Sequence, residues 1–323
     1  MILVTGATGF VGAALVARLS RDGIETRACV RRKGASMPDG VHTLQVGGLT
    51  ADTDWSRALA GVSVVVHAAA RVHVMDDTAA DPLTEFRRVN VEGTLNLARQ
   101  SAAAVVSRFV FVSSIKVNGE ATRLGMPFYA DDMPAPLDPY GVSKMEAEKG
   151  LRELAAETGM EVVIIRPPLV YGPGVKANFA TLMRAVQRGW PVPLGAAHNQ
   201  RSLVALDNLV DFIVTCLSHP QAANQTFLVS DGQDLSITEL VRGLARAVGV
   251  PARLMPVPVW ALQAGAALLG KRDVVQRLCG NLQVDISKAY SLLGWVPPVS
   301  VDEGLRRAVS CQRLRPRSDE RAP

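Results

Sequence analysis

Tyr140 and Lys144 stand four positions apart in the run PYGVSK, a spacing that puts both side chains on one face of a helix. An ammonium beside a phenol stabilises the phenolate and draws its pKa down from about 10. The pair can then take or give a proton at a hydroxyl or carbonyl oxygen. Ser114 ends the apolar run FVFVSS and can hydrogen-bond the same oxygen, holding a substrate for hydride transfer. A lone Tyr-x-x-x-Lys is weak evidence, and its force comes from the opening segment MILVTGATGFVG. There Gly6, Gly9 and Gly12 follow a short apolar strand and open a helix. Glycines so spaced let the backbone turn sharply and approach a pyrophosphate, which rests on the free N–H groups of the helix. A tight turn without ligand is the competing reading, disfavoured because strand, helix and spacing agree.

These residues need a sheet whose strands end on one edge. Apolar runs at 1–5, 25–30, 42–46, 62–68, 108–113 and 162–166 read as strands, with helices between them, most evidently at 11–22, 83–104 and 141–158. The pattern predicts an α/β, doubly wound parallel sheet with a smaller, mainly helical substrate-binding lobe. At the end of the second strand the usual acid gives way to Val30-Arg31-Arg32-Lys33. A carboxylate there repels a 2′-phosphate and a guanidinium grips one, so NADP(H) is favoured and NAD(H) possible, unless the turn is merely solvated. The next strand end, VVVHAAAR, sets His67, Ala68 and Ala69 at the cofactor cleft, with His67 read as packed, not proton-transferring. After Arg166 the alternation breaks into PPLVYGPG and a proline-rich second half. The expected division is a nucleotide-binding domain over 1–170, a second lobe over 171–312 in which 226–229 can return to the sheet, and a disordered tail over 313–323.

The 323 residues are 48% hydrophobic, enough to bury a large core. The charge of +5 comes with only 5% aromatic residues and no basic stripe interleaved with aromatics, so no nucleic-acid partner is expected. Four cysteines without CxxC spacing read as reduced thiols of a cytoplasmic protein, with no metal site. The longest apolar stretch, 257–270, is shorter than the roughly 20 residues a membrane span needs. It is expected to be a packed helix, a membrane-surface helix being the lesser alternative.

TGATGFVG, HAAA, FVSS, PYGVSK and RPPLVYGPG occur in that order over about the first 175 residues, and in this the chain resembles the extended short-chain dehydrogenase/reductases. The resemblance implies Ser114, Tyr140 and Lys144 as the catalytic triad, with Asn90 in VNVEGTLNL supporting the lysine through a water. It further implies cofactor contacts at Gly6, Gly9, Phe10, Val11, Gly12, Arg31, Arg32, His67, Ala68, Ala69, Tyr140, Lys144 and Pro167. KANFATLM and RSLVALDNLVD are similar to nucleotide-sugar enzymes of this family, which implies substrate contacts at Asn178 and Arg201 beside Ser114, Lys116 and Tyr140, and a UDP-sugar substrate. Without the resemblance Arg201 reads equally well as a surface ion pair.

The wording is most similar to the UDP-glucose 4-epimerase-like branch, which includes 4-ketoreductases of UDP-N-acetyl-quinovosamine and fucosamine. Four departures lean to the reductase: Arg31 for the acid, Gly48 for an adenine-contacting aspartate, Asn118 for a tyrosine, and Leu169 for an asparagine. The expectation is NAD(P)-dependent reduction of a UDP-2-acetamido-2,6-dideoxy-hexos-4-ulose for surface-polysaccharide synthesis, with UDP-hexose 4-epimerase as alternative. A non-catalytic NADP(H)-binding scaffold is a further alternative, disfavoured by the intact triad. The family also implies a homodimer through the helices after Leu83 and Gly141.

Overall fold

The computed structural model describes residues 1–32, 34–72, 81–268 and 272–313. Lys33 and the tail from 314 onward lie outside the described residues.

Nine strands are described: β1 (Ile2–Thr5), β2 (Thr26–Val30), β3 (His42–Gln45), β4 (Val64–His67), β5 (Arg108–Val112), β6 (Glu161–Arg166), β7 (Leu169–Tyr171), β8 (Leu203–Ala205) and β9 (Thr226–Leu228). Seven of them form one sheet in the order β3-β2-β1-β4-β5-β6-β9, every neighbouring pair parallel. The sheet is a Rossmann-like doubly wound sheet, as the sequence predicts. β1, β4 and β6 are almost continuously apolar and buried because helices cover both faces. The order reverses between β1 and β4, so the crevice at their carboxyl ends is where a ligand belongs. The six predicted strands are all present, and β9 returns to the sheet beside β6.

The helices are α1 (Phe10–Arg21), α2 (Ser56–Leu59), α3 (Pro82–Phe86), α4 (Thr94–Ala103), α5 (Pro139–Thr158), α6 (Ala177–Gln187), α7 (Leu206–Ser218), α8 (Ile237–Val248), α9 (Val259–Leu268), α10 (Arg272–Cys279), α11 (Ser287–Leu293) and α12 (Val301–Arg313). α5 begins as its sequence dictates: Asp138 accepts from the Gly141 N–H at 2.6 Å, a proline occupies the first turn, and Gly159 at φ 74° ends the helix. The predicted helix over 83–104 is interrupted. Arg87–Gly93 forms a wide π-helical turn between α3 and α4, and such a turn re-aims side chains that an uninterrupted helix would place elsewhere.

Two apolar cores matter for the site. One lies between the sheet and α1 and α7, with Leu15, Leu19, Leu209, Phe212 and Phe227 fully buried. The other gathers α6, α8 and α12 around the short β7–β8 pair. Phe10 touches both. The apolar stretch expected to be a packed helix forms α9, yet Ala266 is its only buried residue and Trp260 is 72% exposed. That expectation is corrected: the fold covers one side of this helix only. No described helix is long and apolar enough to cross a membrane.

Candidate active site

The turn after β1 is built so that only glycine fits. Gly6 has φ 68°, and a Cβ there would lie 2.7 Å from the Ala69 amide nitrogen and 2.8 Å from the Ala68 carbonyl. A Cβ on Gly12 would strike the Gly6 carbonyl oxygen, while Gly9 donates to that same oxygen at 2.8 Å. Gly9 caps α1 without a side chain, and the first turn holds no acid. The amides of Phe10, Val11 and Gly12 therefore find no carbonyl within their own helix. Backbone approach, free N–H groups and the positive end of the helix together fit a dinucleotide diphosphate.

Ala68 and Ala69 form a partly exposed wall beside this turn. His67 does not share in it. Its ring is fully buried, bonded to Thr5 Oγ1 at 2.6 Å and Thr94 Oγ1 at 3.0 Å and stacked on Phe111. Burial pushes its pKa down to about 3, with Lys144 adding to the effect. The histidine is a neutral strut, and the expectation that its side chain contacts cofactor is corrected. Arg31 and Arg32 are exposed just beyond β2, and Gly48 lies in an exposed loop after β3.

Ser114 caps the short 3-10 turn Ile115–Val117, its hydroxyl accepting from the Lys116 amide at 3.2 Å. It also stands close enough to Tyr140, the second residue of α5, to favour the phenolate. Lys144 sits one turn further on, buried, its ammonium donating to the Val112 carbonyl at 2.9 Å and lying 4.3 Å above the Phe111 ring. Burial pushes the Tyr140 phenol up to about 12, Asp138 adding to this and Ser114 opposing it. Burial likewise pulls Lys144 down to about 7, against the carboxylate of Glu148. The expected depression of the phenol by the lysine is thus absent from the protein alone, because removing both groups from water disfavours both charges.

Asn90, aimed inward by the π-helical turn, exchanges hydrogen bonds with the Arg71 backbone at 2.8 and 3.0 Å and donates to Ser143 Oγ at 3.0 Å. It touches the neighbour of Lys144 and makes no direct hydrogen bond to the lysine. Lys116 is paired with Glu120 at 3.0 Å and with Asp138, so it ties the serine turn to the start of α5. Gly141 is needed at that junction, since a Cβ on it would lie 2.8 Å from the Lys116 carbonyl. Asn118, which stands for a tyrosine of the epimerases, is 2% exposed and bonds Tyr129 O and Arg166 Nη1, each at 2.9 Å. It belongs to the polar interior.

That interior was invisible in the sequence. Arg166 and Glu148, both buried, form a bidentate pair at 2.9 and 2.6 Å. Glu148 also accepts from Ser113 at 2.6 Å and from Arg152 at 2.8 Å. The only signals were an arginine closing an apolar strand and a glutamate one helical turn after Lys144.

A cavity of about 460 Å³ opens from Ser114 and Tyr140 into the second lobe. Ser114, Lys116, Tyr140 and Pro167 line it at one end, and Lys176, Asn178 and Arg201 line it from the second lobe, so all five expected substrate contacts share one space. Leu169 and Val72 face it too, as do Phe179, Leu182, Leu240 and Leu278. Arg201 Nη1 donates to the Gly280 carbonyl at 3.1 Å, but among the described residues no carboxylate pairs with it. Burial lowers its pKa. A desolvated guanidinium without a counter-charge is stabilised by an anionic ligand. No cluster of metal-binding side chains occurs among the described residues.

Comparison with known proteins fits this geometry. Residues 2–230 match the NAD dependent epimerase/dehydratase family, and the chain belongs to that family, an enzyme family acting through a bound dinucleotide. A UDP-glucose 4-epimerase from Vibrio cholerae is 53% identical over 307 residues, covering 95% of this chain and 93% of that one. The N-acetyl-alpha-D-glucosaminyl-diphospho-ditrans,octacis-undecaprenol 4-epimerase of Escherichia coli O157:H7 is 27% identical over 336 residues, with 99% and 97% covered. Among solved structures, MoeE5 in complex with UDP-glucose and NAD superposes with a TM-score of 0.77 at 28% identity, covering 97% of this chain and 98% of that one.

Proposed function

We propose that the protein oxidises and re-reduces C4 of a UDP-linked hexose and that its net reaction is 4-epimerisation. The observation that carries this is the shared cavity with Ser114 and Tyr140 at one end and, from the second lobe, Arg201, with which no carboxylate among the described residues pairs. The relative from Vibrio cholerae supports the epimerase over the reductase that the sequence reading favoured.

In this reading Arg201, with Asn178 beside the start of α6, binds the diphosphate of the substrate. Ser114 donates to the C4 oxygen, and Tyr140 removes the hydroxyl proton and later returns it. The Gly6–Gly12 cradle would hold NAD, which would supply the hydride acceptor and donor for C4. Lys144 holds a proton near that centre: at about 7, its pKa lets it change charge close to neutrality when a ligand alters its surroundings. The Lys116–Asp138 pair keeps Ser114 and Tyr140 in register. Dimerisation through α4 and α5 belongs to the same proposal.

A second reading, reduction of a UDP-4-keto-hexose by exchangeable NADPH or NADH, is favoured by the arginines at 31 and 32 and the missing carboxylate at Gly48. Asn118 no longer supports it, since that residue lies outside the cavity. Denaturing the purified protein separates the two readings. An epimerase releases about one NAD per chain; an empty protein that consumes NADPH on a UDP-4-keto-6-deoxy sugar is the reductase.

A further inference from the structure

α9 is apolar at every position but Gln263, a composition found where a helix is buried in protein or in lipid. Val259 and Leu262 pack against the second core, and Ala266 is buried. The opposite face, carrying Trp260, Gln263, Ala264, Ala267 and Leu268 at helical spacing, is exposed. Trp260 is 72% and Leu268 89% exposed. Gln263 is the one polar side chain on this face.

The strip leading into α9 extends the surface. Val192 pairs with Leu254, its N–H donating to the Arg253 carbonyl at 2.8 Å and its carbonyl accepting from the Met255 N–H at 2.9 Å. Trp190, Met255 and Arg253, close in sequence to this pairing, are exposed. The Arg188 guanidinium lies 5.1 Å from the Trp190 ring. Segments 177–200 and 250–268 hold Arg184, Arg188 and Arg253 and not one aspartate or glutamate. No carboxylate pairs with these three arginines among the described residues.

We propose that this face docks on the surface of an anionic phospholipid bilayer, with Trp190, Met255, Trp260 and Leu268 entering the headgroup boundary and Arg184, Arg188 and Arg253 meeting lipid phosphates. Tryptophan and arginine around an apolar patch suit an interface that is apolar on one side and anionic on the other. α9, with 10 residues, is far too short to span the hydrocarbon core and lies in its plane. A second copy of this chain is a poor occupant, because it would bring the same positive charges face to face. The sequence from 314 is a poor one too, since LRPRSDERAP adds three arginines and almost no apolar surface.

The test is co-sedimentation of the full-length protein with vesicles of phosphatidylcholine alone and with 30–50% phosphatidylglycerol (about, as a working range). Binding is expected to the anionic vesicles only and to weaken with salt. Trp55 and Trp295 are 3% and 5% exposed, so a blue shift of tryptophan emission on vesicle addition reports Trp190 and Trp260. W260E/L268E should reduce partitioning by about tenfold or more while turnover of free nucleotide sugar is kept. R188E/R253E, which leaves α9 untouched, should abolish the preference for anionic lipid. Equal binding of either variant and the parent, absence of binding to anionic vesicles, or a parent dimer that W260E/L268E converts to monomers would each overturn the proposal. None of these readouts depends on which C4 reaction the enzyme performs.

Discussion

Arg166 and Arg201 are two largely buried guanidiniums, and they are treated in opposite ways. Arg166 is matched from within: Glu148 holds two of its nitrogens, and Asn118 and the Ala130 carbonyl take a third. Arg201 has a single backbone carbonyl and no acid among the described residues. A buried charge with a complete set of partners makes the site rigid, and one without them is completed by what binds. The contrast separates an internally paired arginine from a cavity-lining one that has no acid beside it among the described residues.

The largest effect should come at the chemistry itself. Tyr140→Phe removes the proton carrier and is expected to lower kcat by about 10³-fold while leaving the NAD affinity, measured by calorimetry, unchanged. Glu148→Ala strands Arg166 and should destabilise the fold by about 3–5 kcal/mol in urea unfolding. Arg201→Ala should do the reverse: KM for the UDP-sugar rises about 10- to 100-fold, and the unfolding midpoint barely moves. If Arg201→Ala were as destabilising as Glu148→Ala, the two arginines would be of one kind and the division would fail.

A smaller effect concerns pH. Lys144 binds its proton less tightly folded, at about 7, than unfolded, at 10.5. Between those values the unfolded chain carries the extra proton, so ligand-free stability should rise with pH from about 7 upward. From pH 7 to 9 the gain is about 2 kcal/mol, and Lys144→Met should abolish it in thermal melts. Tyr140 acts oppositely, its pKa raised from 10.0 to about 12, so stability should be lost again above pH 10. Smallest of all, R31D/R32S should weaken NADPH binding by about tenfold against NADH, if the turn after β2 meets a 2′-phosphate.

What could be read from sequence was what local pattern controls. The parallel strands are unbroken apolar runs, the glycine turn is a steric requirement, and Tyr140 and Lys144 share a helical face by spacing alone. What escaped it depends on long-range placement. Nothing local says that Arg166 meets Glu148, 18 positions back on α5, or that Asn118 joins them. The π-helical turn that aims Asn90 inward breaks a helix whose apolar pattern looks continuous. His67 reads as a cleft residue because it ends β4, yet Thr5 and Thr94 hold its ring inside. α9 looked like a core helix since composition records how apolar a segment is, not whether the fold has anything left to lay over it.

The most direct test of the central claim is to incubate the purified protein with UDP-glucose, and separately with UDP-N-acetylglucosamine, without added cofactor, and follow the sugar by proton NMR. Conversion at C4 to the galacto isomer, lost in Tyr140→Phe and restored in Arg201→Ala by raised substrate, is the predicted result. Absence of C4 inversion in both sugars, with NADPH consumed on a UDP-4-keto-6-deoxy-hexose, would contradict it.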